Sequence, residues 1–240
     1  MTAELFGFSN SSADYSGHPR TGILFAPLVD PFIMTSADDE QPLGDETQAA
    51  IDTATAAIQA GEAVIYPTET VYGLGADATD PAAVDRVFEI KTRPRDKPLS
   101  VAFADADHAS QYTEPTDREL TFIQEFLPGP VTVIVDRQPT LPDTLTGGRR
   151  RVGVRIPANE AALALCRAAG PITATSANRS GEPSVQAPTT LPASVRESVG
   201  ATIDTGRTPG TESTVVDIQA RDIIRRGALV AEIEAWLAEH

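Results

Sequence analysis

Lysine is almost absent from this chain. Of its 240 residues only Lys91 and Lys97 are lysines, against seventeen arginines and 34 acidic residues, so the formal net charge is -15. Such an acidic, lysine-poor composition is typical of proteins from salt-loving cytoplasms, because at 1 M salt the Debye length falls to ~3 Å and repulsion between surface carboxylates is screened. We therefore predict a halophilic source, with an ordinary acidic mesophilic protein as the alternative.

Cysteine and long apolar runs are also scarce. The single Cys166 excludes an intramolecular disulfide, and its position in the run ALALCR favours a small buried side chain over a nucleophile. No apolar run approaches the ~20 residues that a membrane-spanning helix needs. The N-terminus lacks a basic segment followed by an apolar one, so no secretory signal is predicted. We expect a cytoplasmic protein that does not bind membranes.

Histidine is too sparse for several kinds of chemistry. His18, His108 and His240 are the only histidines, and this predicts neither a histidine-based triad nor a metal site held by the protein. The glycine-rich phosphate loop GxxxxGK[ST] is missing, and the pair Gly73 and Gly75 lacks the third glycine of a dinucleotide fingerprint. The acidic charge in high salt also disfavours general nucleic-acid binding, which weakens steeply as salt rises.

The chain divides into two parts by pattern. Residues 1–44 are rich in Ser, Gly, Pro and Asp without sustained periodicity, which predicts an irregular extension, and Met34 is an alternative start. Residues 45–240 alternate helical and strand patterns, which predicts one α/β domain with a twisted mixed sheet flanked by helices. Helices are predicted over 45–60, 81–91, 116–126, 159–169, 192–199 and 230–237. Strands are predicted over 63–66, 99–103, 131–135, 152–156, 171–175, 201–204, 213–218 and 222–225, and a polar loop over 141–149.

Both lysines lie in one basic stretch, residues 91–98, with the sequence KTRPRDKP. Together with Arg93 and Arg95 they could hold an anion such as a phosphate chain or a carboxylate. A solvated loop with a chance run of charge is the alternative, and this stretch alone does not decide between the two.

Seven short motifs occur in a defined order along the domain. They are PTETVYGLG at 67–75, KTRPRDKPL at 91–99, LPGPVT at 127–132, VRIP at 154–157, ATSANRSG at 174–181, ESTV at 212–215 and IIRRG at 223–227. In this order the set closely resembles the YrdC-type threonylcarbamoyl-AMP synthases, in their single-domain form, over about residues 45–229. With the composition, the resemblance predicts a member from a halophilic archaeon.

The resemblance implies a YrdC-like fold with a concave ligand groove, and an enzyme of tRNA modification. Such an enzyme forms threonylcarbamoyl-AMP and pyrophosphate from L-threonine, bicarbonate and ATP, with Mg²⁺ bound through the nucleotide. The product passes to a tRNA threonylcarbamoyl transferase complex. Two alternatives are kept: a double-stranded RNA-binding module on the same fold, with weak RNA contact, and a paralogue that acts on another carbamoylated or nucleotide substrate.

The resemblance also assigns roles to residues of the motifs. The residues implied in catalysis are Lys91, Arg93 and Lys97. Those implied in threonine binding are Thr70, Arg155, Ser176 and Ser213, in a pocket shaped by Thr68 and Tyr72. Those implied in ATP binding are Arg93, Lys97, Arg151, Asn178 and Arg225.

Three positions depart from the family pattern. Relatives often carry a histidine in the segment where this chain has residues 101–103, Val-Ala-Phe. The closing motif usually has proline where this chain has Arg226, and Pro-Thr usually stands where Val185 and Gln186 stand here. A histidine contribution to threonine binding is therefore in doubt, and Gln186 has no assigned role.

Overall fold

The structure is a computed structural model that describes residues 43–240. The predicted extension over residues 1–44 lies outside the described residues except for Leu43 and Gly44, and helix α1 begins at Asp45. The helices are α1 (Asp45–Gln59), α2 (Pro81–Lys91), α3 (Ala106–Ser110), α4 (Asp117–Phe126), α5 (Asp143–Thr146), α6 (Glu160–Ala169), α7 (Ala193–Arg196) and α8 (Val230–Glu239), with a 3₁₀ turn at Pro188–Thr190.

Ten strands form one mixed sheet in the part of the chain that the structure describes. The order is β10-β9-β5-β6-β3-β7-β2-β1-β8, and β4 pairs with β5. The pairs β1–β8, β3–β6 and β5–β9 are parallel and the others antiparallel. The strands are β1 (Val64–Tyr66), β2 (Gly73–Gly75), β3 (Ser100–Ala102), β4 (Thr113–Glu114), β5 (Val131–Arg137), β6 (Arg151–Arg155), β7 (Ile172–Ser176), β8 (Ala201–Thr202), β9 (Thr214–Asp217) and β10 (Asp222–Arg225).

Alternation along the strands divides the sheet into two faces. Val133 of β5 and Val154 of β6 point into the larger core, together with Phe88, Phe122 and Trp236 from α2, α4 and α8. The opposite face is only partly covered, by a smaller core in which α1 packs on α6. The rest of that opposite face is open, and the functional cavity described below lies there.

Local sequence signals place the helix starts as predicted. Asp80 accepts a hydrogen bond from Ala82 N at the start of α2, and Asn159 caps α6 through Ala162 N. Thr116 and Glu119 form a capping box at the start of α4. The predicted fold class is confirmed, and each predicted helix and strand is present with ends that differ by at most three residues.

The predicted polar loop over residues 141–149 was wrong in part. It contains the short helix α5, whose Leu145 and Thr146 are buried. Residues 73–75, considered for a dinucleotide turn, form strand β2 instead. Elements α3 and β4 had not been predicted, and the helix predicted over 192–199 is the four-residue α7. These elements are too short to show the periodic spacing of apolar residues from which helices and strands are predicted.

No helix within residues 43–240 has both the length and the apolar character needed to cross a bilayer.

The ring of Tyr66 packs so closely on β2 that positions 73 and 75 have little room for a side chain. A Cβ added at Gly73 would lie 2.7 Å from the ring of Tyr66, which is 1% exposed. We predict that Gly73→Ala lowers the free energy of unfolding by about 1–3 kcal/mol, measured by urea denaturation. Gly44→Ala is the control, because a Cβ there has no atom within 4 Å. Equal stability of the Gly73 variant and the parent would contradict this packing.

Candidate active site

A cavity of about 600 Å³ lies on the open part of the sheet face. Its floor consists of small side chains on the central strands, including Ser100, Gly153 and Ala174. A Cβ at Gly153 would lie only 2.8 Å from Thr132 Cγ2 of the neighbouring strand, so glycine is needed at that point. The small residues leave room for a ligand of nucleotide size, since small-molecule sites commonly measure ~300–1,000 Å³.

At one end of the cavity Arg155 is held in a buried polar cluster. Its Nη2 donates to Thr70 Oγ1 at 2.8 Å and lies 3.0 Å from Glu69 Oε1. Thr68 Oγ1 shares a hydrogen bond with Thr70 Oγ1 and accepts from the N–H of Val71. Nε and Nη1 of Arg155 have no hydrogen-bond partner within residues 43–240. These N–H groups can therefore receive a ligand carboxylate.

A second arginine enters from the sheet edge. Arg225 donates from Nη2 to Ser213 Oγ at 2.7 Å and from Nε to the Ser213 carbonyl at 3.0 Å. Thr132 Oγ1 lies 3.3 Å from the same hydroxyl. Burial lowers the pKa of Arg225, Glu212 opposes this, and Arg155 lowers it further. Ser213 is thus oriented by Arg225 in the cavity that Arg155 also lines.

The third arginine comes from the basic stretch after α2. Arg93 donates from Nε to the Lys97 carbonyl and from Nη2 to the Pro98 carbonyl, both at 2.9 Å. It forms no ion pair within the described residues. Burial lowers the pKa of Arg93 and the positive charge of Arg225 lowers it further. Two guanidiniums that repel one another across a cavity favour the binding of an anion between them.

Arg151 differs from these three because carboxylates already neutralise it. Its Nη2 lies 2.8 Å from Glu119 Oε1, it pairs also with Asp217, and its Nε is 3.7 Å from Asp136 Oδ1. Burial lowers the pKa of Arg151, but Asp217 and Glu119 outweigh burial, so the pKa is raised. Arg151 lines the cavity, yet its charge is largely balanced within the protein.

Two further arginines and one exposed apolar side chain line the cavity. Arg149 donates to the Asp96 carbonyl at 3.2 Å, and this contact joins the turn after α5 to the basic stretch. Arg150 is exposed and pairs with Asp136 at 2.9 Å. Ile224 lines the cavity with 58% of its surface exposed, the most exposed large apolar residue among residues 43–240.

Most of the sequence-predicted site residues line this one cavity: Thr68, Thr70, Arg93, Arg151, Arg155, Ser176, Ser213 and Arg225. Four others do not. Tyr72 is buried behind the cavity, and its hydroxyl donates to the Gly206 carbonyl at 2.6 Å. Lys97 is exposed on the basic stretch. Lys91 and Asn178 are buried together at the adjacent loop.

Sequence reasoning missed three residues at the site and left one unassigned. Glu69 and Glu212 belong to quoted motifs but had no role, and Arg149 had been assigned only to the polar loop over residues 141–149. Gln186 now has a structural role: its carbonyl accepts from Thr208 N at 2.9 Å and its side chain bonds Arg207. It holds the loop that precedes Glu212.

Comparisons with known proteins identify the family of this chain. The family model of the Sua5, YciO and YrdC proteins, described as "Telomere recombination", matches residues 56–227. The chain belongs to this family.

Related members carry a common name. The threonylcarbamoyl-AMP synthase of Pyrococcus abyssi is 39% identical over 188 residues, which are 76% of this chain and 55% of that protein. The synthase of Bacillus subtilis is 40% identical over 190 residues, with the same coverage. The chain thus spans about half the length of these family members.

Solved structures of family members show the same fold. The P. abyssi Sua5 complexed with L-threonine superposes with a TM-score of 0.72 at 38% identity, covering 79% of this chain and 57% of that one. Escherichia coli YciO gives 0.70 at 25% identity, covering 75% and 90%.

The balanced charge of Arg151 leads to a prediction. Removing it leaves the carboxylate of Glu119, which is 0% exposed, without its cation. We expect Arg151→Ala to lower the free energy of unfolding by roughly 2–3 kcal/mol in urea titrations. This is less than for a fully buried pair, because solvent screens the partly exposed guanidinium. Arg150→Ala, which removes an exposed neighbour, is the control and should cost under ~1 kcal/mol. Equal losses would contradict the network.

Proposed function

We propose that this protein is an L-threonylcarbamoyladenylate synthase, a nucleotidyltransferase that makes threonylcarbamoyl-AMP and pyrophosphate from L-threonine, bicarbonate and ATP. The observation that carries the proposal is one cavity lined by Arg93, Arg155 and Arg225. Arg93 forms no ion pair within the described residues, and Nη1 of Arg225 lies 3.9 Å from Glu212 Oε2, which is too long for a hydrogen bond. The named relatives at about 40% identity support it. The product would serve tRNA threonylcarbamoyladenosine formation by a separate transferase complex.

Threonine would bind at the Arg155 end. The free N–H groups of Arg155 suit a bidentate bond to the threonine carboxylate. The hydroxyls of Thr70, Ser176 and Ser213 line the same cavity and would bond the polar groups of threonine. The P. abyssi Sua5 structure, which is a complex with L-threonine, supports a threonine site in this fold.

ATP would bind with its phosphates towards Arg93 and Arg225. The threonine carbamate oxygen attacks the α-phosphorus, the bond to the β-phosphate oxygen breaks, and pyrophosphate leaves. Negative charge then grows on the phosphoryl oxygens, so fixed guanidiniums lower the barrier without a nucleophile from the protein. Lys97, exposed on the same stretch, would reach the outer phosphates, and Asn178 and the backbone near Arg151 would contact the nucleotide.

A divalent cation would reach the site with the nucleotide. Residues 43–240 contain no group of three or more His, Cys, Asp or Glu residues that could hold a metal ion. Mg²⁺ coordinated by the ATP phosphates would need no such group from these residues. When bound, it would neutralise part of the charge on the leaving pyrophosphate.

The cavity argues against the double-stranded RNA alternative. A volume of about 600 Å³ suits a nucleotide with an amino acid, whereas a duplex needs a broad surface that crosses two grooves. We therefore keep RNA contact outside the proposal.

Pyrophosphate release from the purified protein tests the function. We expect release only when L-threonine, bicarbonate and ATP are all present, because the carbamate must form before it attacks ATP. Omission of each substrate in turn is the control, and D-threonine tests the hydroxyl and carboxylate contacts. Release that continues unchanged without threonine would refute the synthase.

We also infer a cytoplasmic protein adapted to high salt, from the charge of -15 and the two lysines. Screening of acidic repulsion predicts faster pyrophosphate release at ~2 M than at ~0.1 M KCl. Titration with KCl at constant substrate concentrations measures this. A maximum rate at the lowest salt would show that the composition does not report halophily.

A further inference from the structure

Lys91 is the most deeply buried cation near the cavity, although it does not line it. It is the last residue of α2, and its side chain is 2% exposed. Its ammonium donates to the carbonyl of Asn178 at 2.6 Å and to the carbonyl of Ser176. In return, the Lys91 carbonyl accepts from the N–H of Ser180 at 3.0 Å. Lys91 thus holds one short segment, residues 176–180: its ammonium bonds the start of the segment, and its backbone carbonyl bonds the end.

That segment presents two of the proposed substrate contacts. Ser176 ends β7 and lines the cavity, while Asn178 follows in the loop. Ala177 N donates to the Tyr72 carbonyl at 2.8 Å, which ties the segment to the other side. Backbone carbonyls at a strand end or beyond it need a donor from outside the ladder, and the Lys91 ammonium supplies one for Ser176 and Asn178.

Asn178 has a fixed amide with one polar atom left unpaired within the described residues. Its Nδ2 donates to the carbonyls of Arg179 at 2.8 Å and Glu182 at 2.6 Å, which fixes the amide plane. Its Oδ1 is buried and accepts no hydrogen bond within residues 43–240. A buried acceptor without a donor costs ~1–3 kcal/mol, and a bound ligand that donates to it would recover that energy.

The ammonium group suits this place better than a guanidinium. A compact ammonium with three rotatable donors can bond two carbonyls from one point, whereas the planar fork of arginine matches a carboxylate or phosphate. This offers a reason why one of the two lysines of an arginine-rich chain occurs here. Burial, and secondarily Arg93, lowers the pKa of Lys91 to about 8, which fits a cation bonded to carbonyls rather than paired with a carboxylate.

We propose that Lys91 is a positioning residue of the synthase: it does not bind the triphosphate but fixes the backbone of residues 176–180, so that Ser176 and Asn178 meet the substrates. The inference rests on the proposed function for its consequence in catalysis. It replaces a direct role of Lys91 at the phosphates with hydrogen bonding to the two carbonyls.

The test separates the effect of the hydrogen-bond donors of residue 91 from the effect of its positive charge. Lys91→Gln keeps donors for the carbonyls without a charge, and Lys91→Met removes both. We expect calorimetry to show ATP affinity within about threefold of the parent for the Gln variant and at least about tenfold weaker for Met. Arg95→Met, which removes one charge from the same stretch outside the cavity, is the control and should bind ATP within about twofold of the parent.

A double-mutant cycle shows whether Lys91 acts through Asn178. In the parent background Asn178→Ala should weaken ATP binding at least about fivefold, and in the Lys91→Met background less than about twofold, because the amide is already misplaced. Equal effects in both backgrounds, or equal losses in the Gln and Met variants, would overturn the proposal.

Two controls keep the result interpretable. If circular dichroism shows that Lys91→Met does not fold, the Gln variant alone decides: ATP affinity within about threefold supports the inference, and a larger loss overturns it. Because ATP binding is measured without turnover, failure of the parent to release pyrophosphate would count against the proposed function and not against the role of Lys91.

Discussion

The site depends on keeping several arginines close together in a chain that is otherwise acidic. Arg93, Arg155 and Arg225 line one cavity, and burial together with their mutual repulsion lowers the pKa values of Arg93 and Arg225. Backbone carbonyls and hydroxyls accept most of the hydrogen bonds that these arginines donate within residues 43–240, and Glu69 is the one carboxylate among the acceptors. Such bonds orient a guanidinium without cancelling its charge, so the positive potential remains available to an anion.

Arg151 shows the contrasting solution on the same sheet. It is balanced by Glu119, Asp217 and Asp136, so it joins β6, α4 and β9 and contributes little net field to the cavity. The two faces of the sheet have different roles, one in stability and one in forming the cavity. One face carries the large apolar core. The other is partly covered by α1 and α6, and elsewhere small residues on the central strands leave room for a ligand.

Much of this was accessible from the sequence, and the misses have physical causes. Caps such as Asp80 and Thr116 act through local hydrogen bonds, so helix starts were predicted well. Strand β2 was missed because its glycines serve the ring of Tyr66, which is a tertiary contact. The motif resemblance named eight residues that line the one cavity. It could not show that Lys91 turns towards two carbonyls 85 and 87 residues away, nor that carboxylates 32 and 66 residues from Arg151 neutralise it.

A crystal structure of the protein with L-threonine and a non-hydrolysable ATP analogue tests the central claim most directly. We predict both ligands in the one cavity, the threonine carboxylate on Arg155 and the phosphates towards Arg93 and Arg225, with Lys91 still bonded to the Ser176 and Asn178 carbonyls. Ligands bound elsewhere, or phosphates bonded to the Lys91 ammonium, would contradict it.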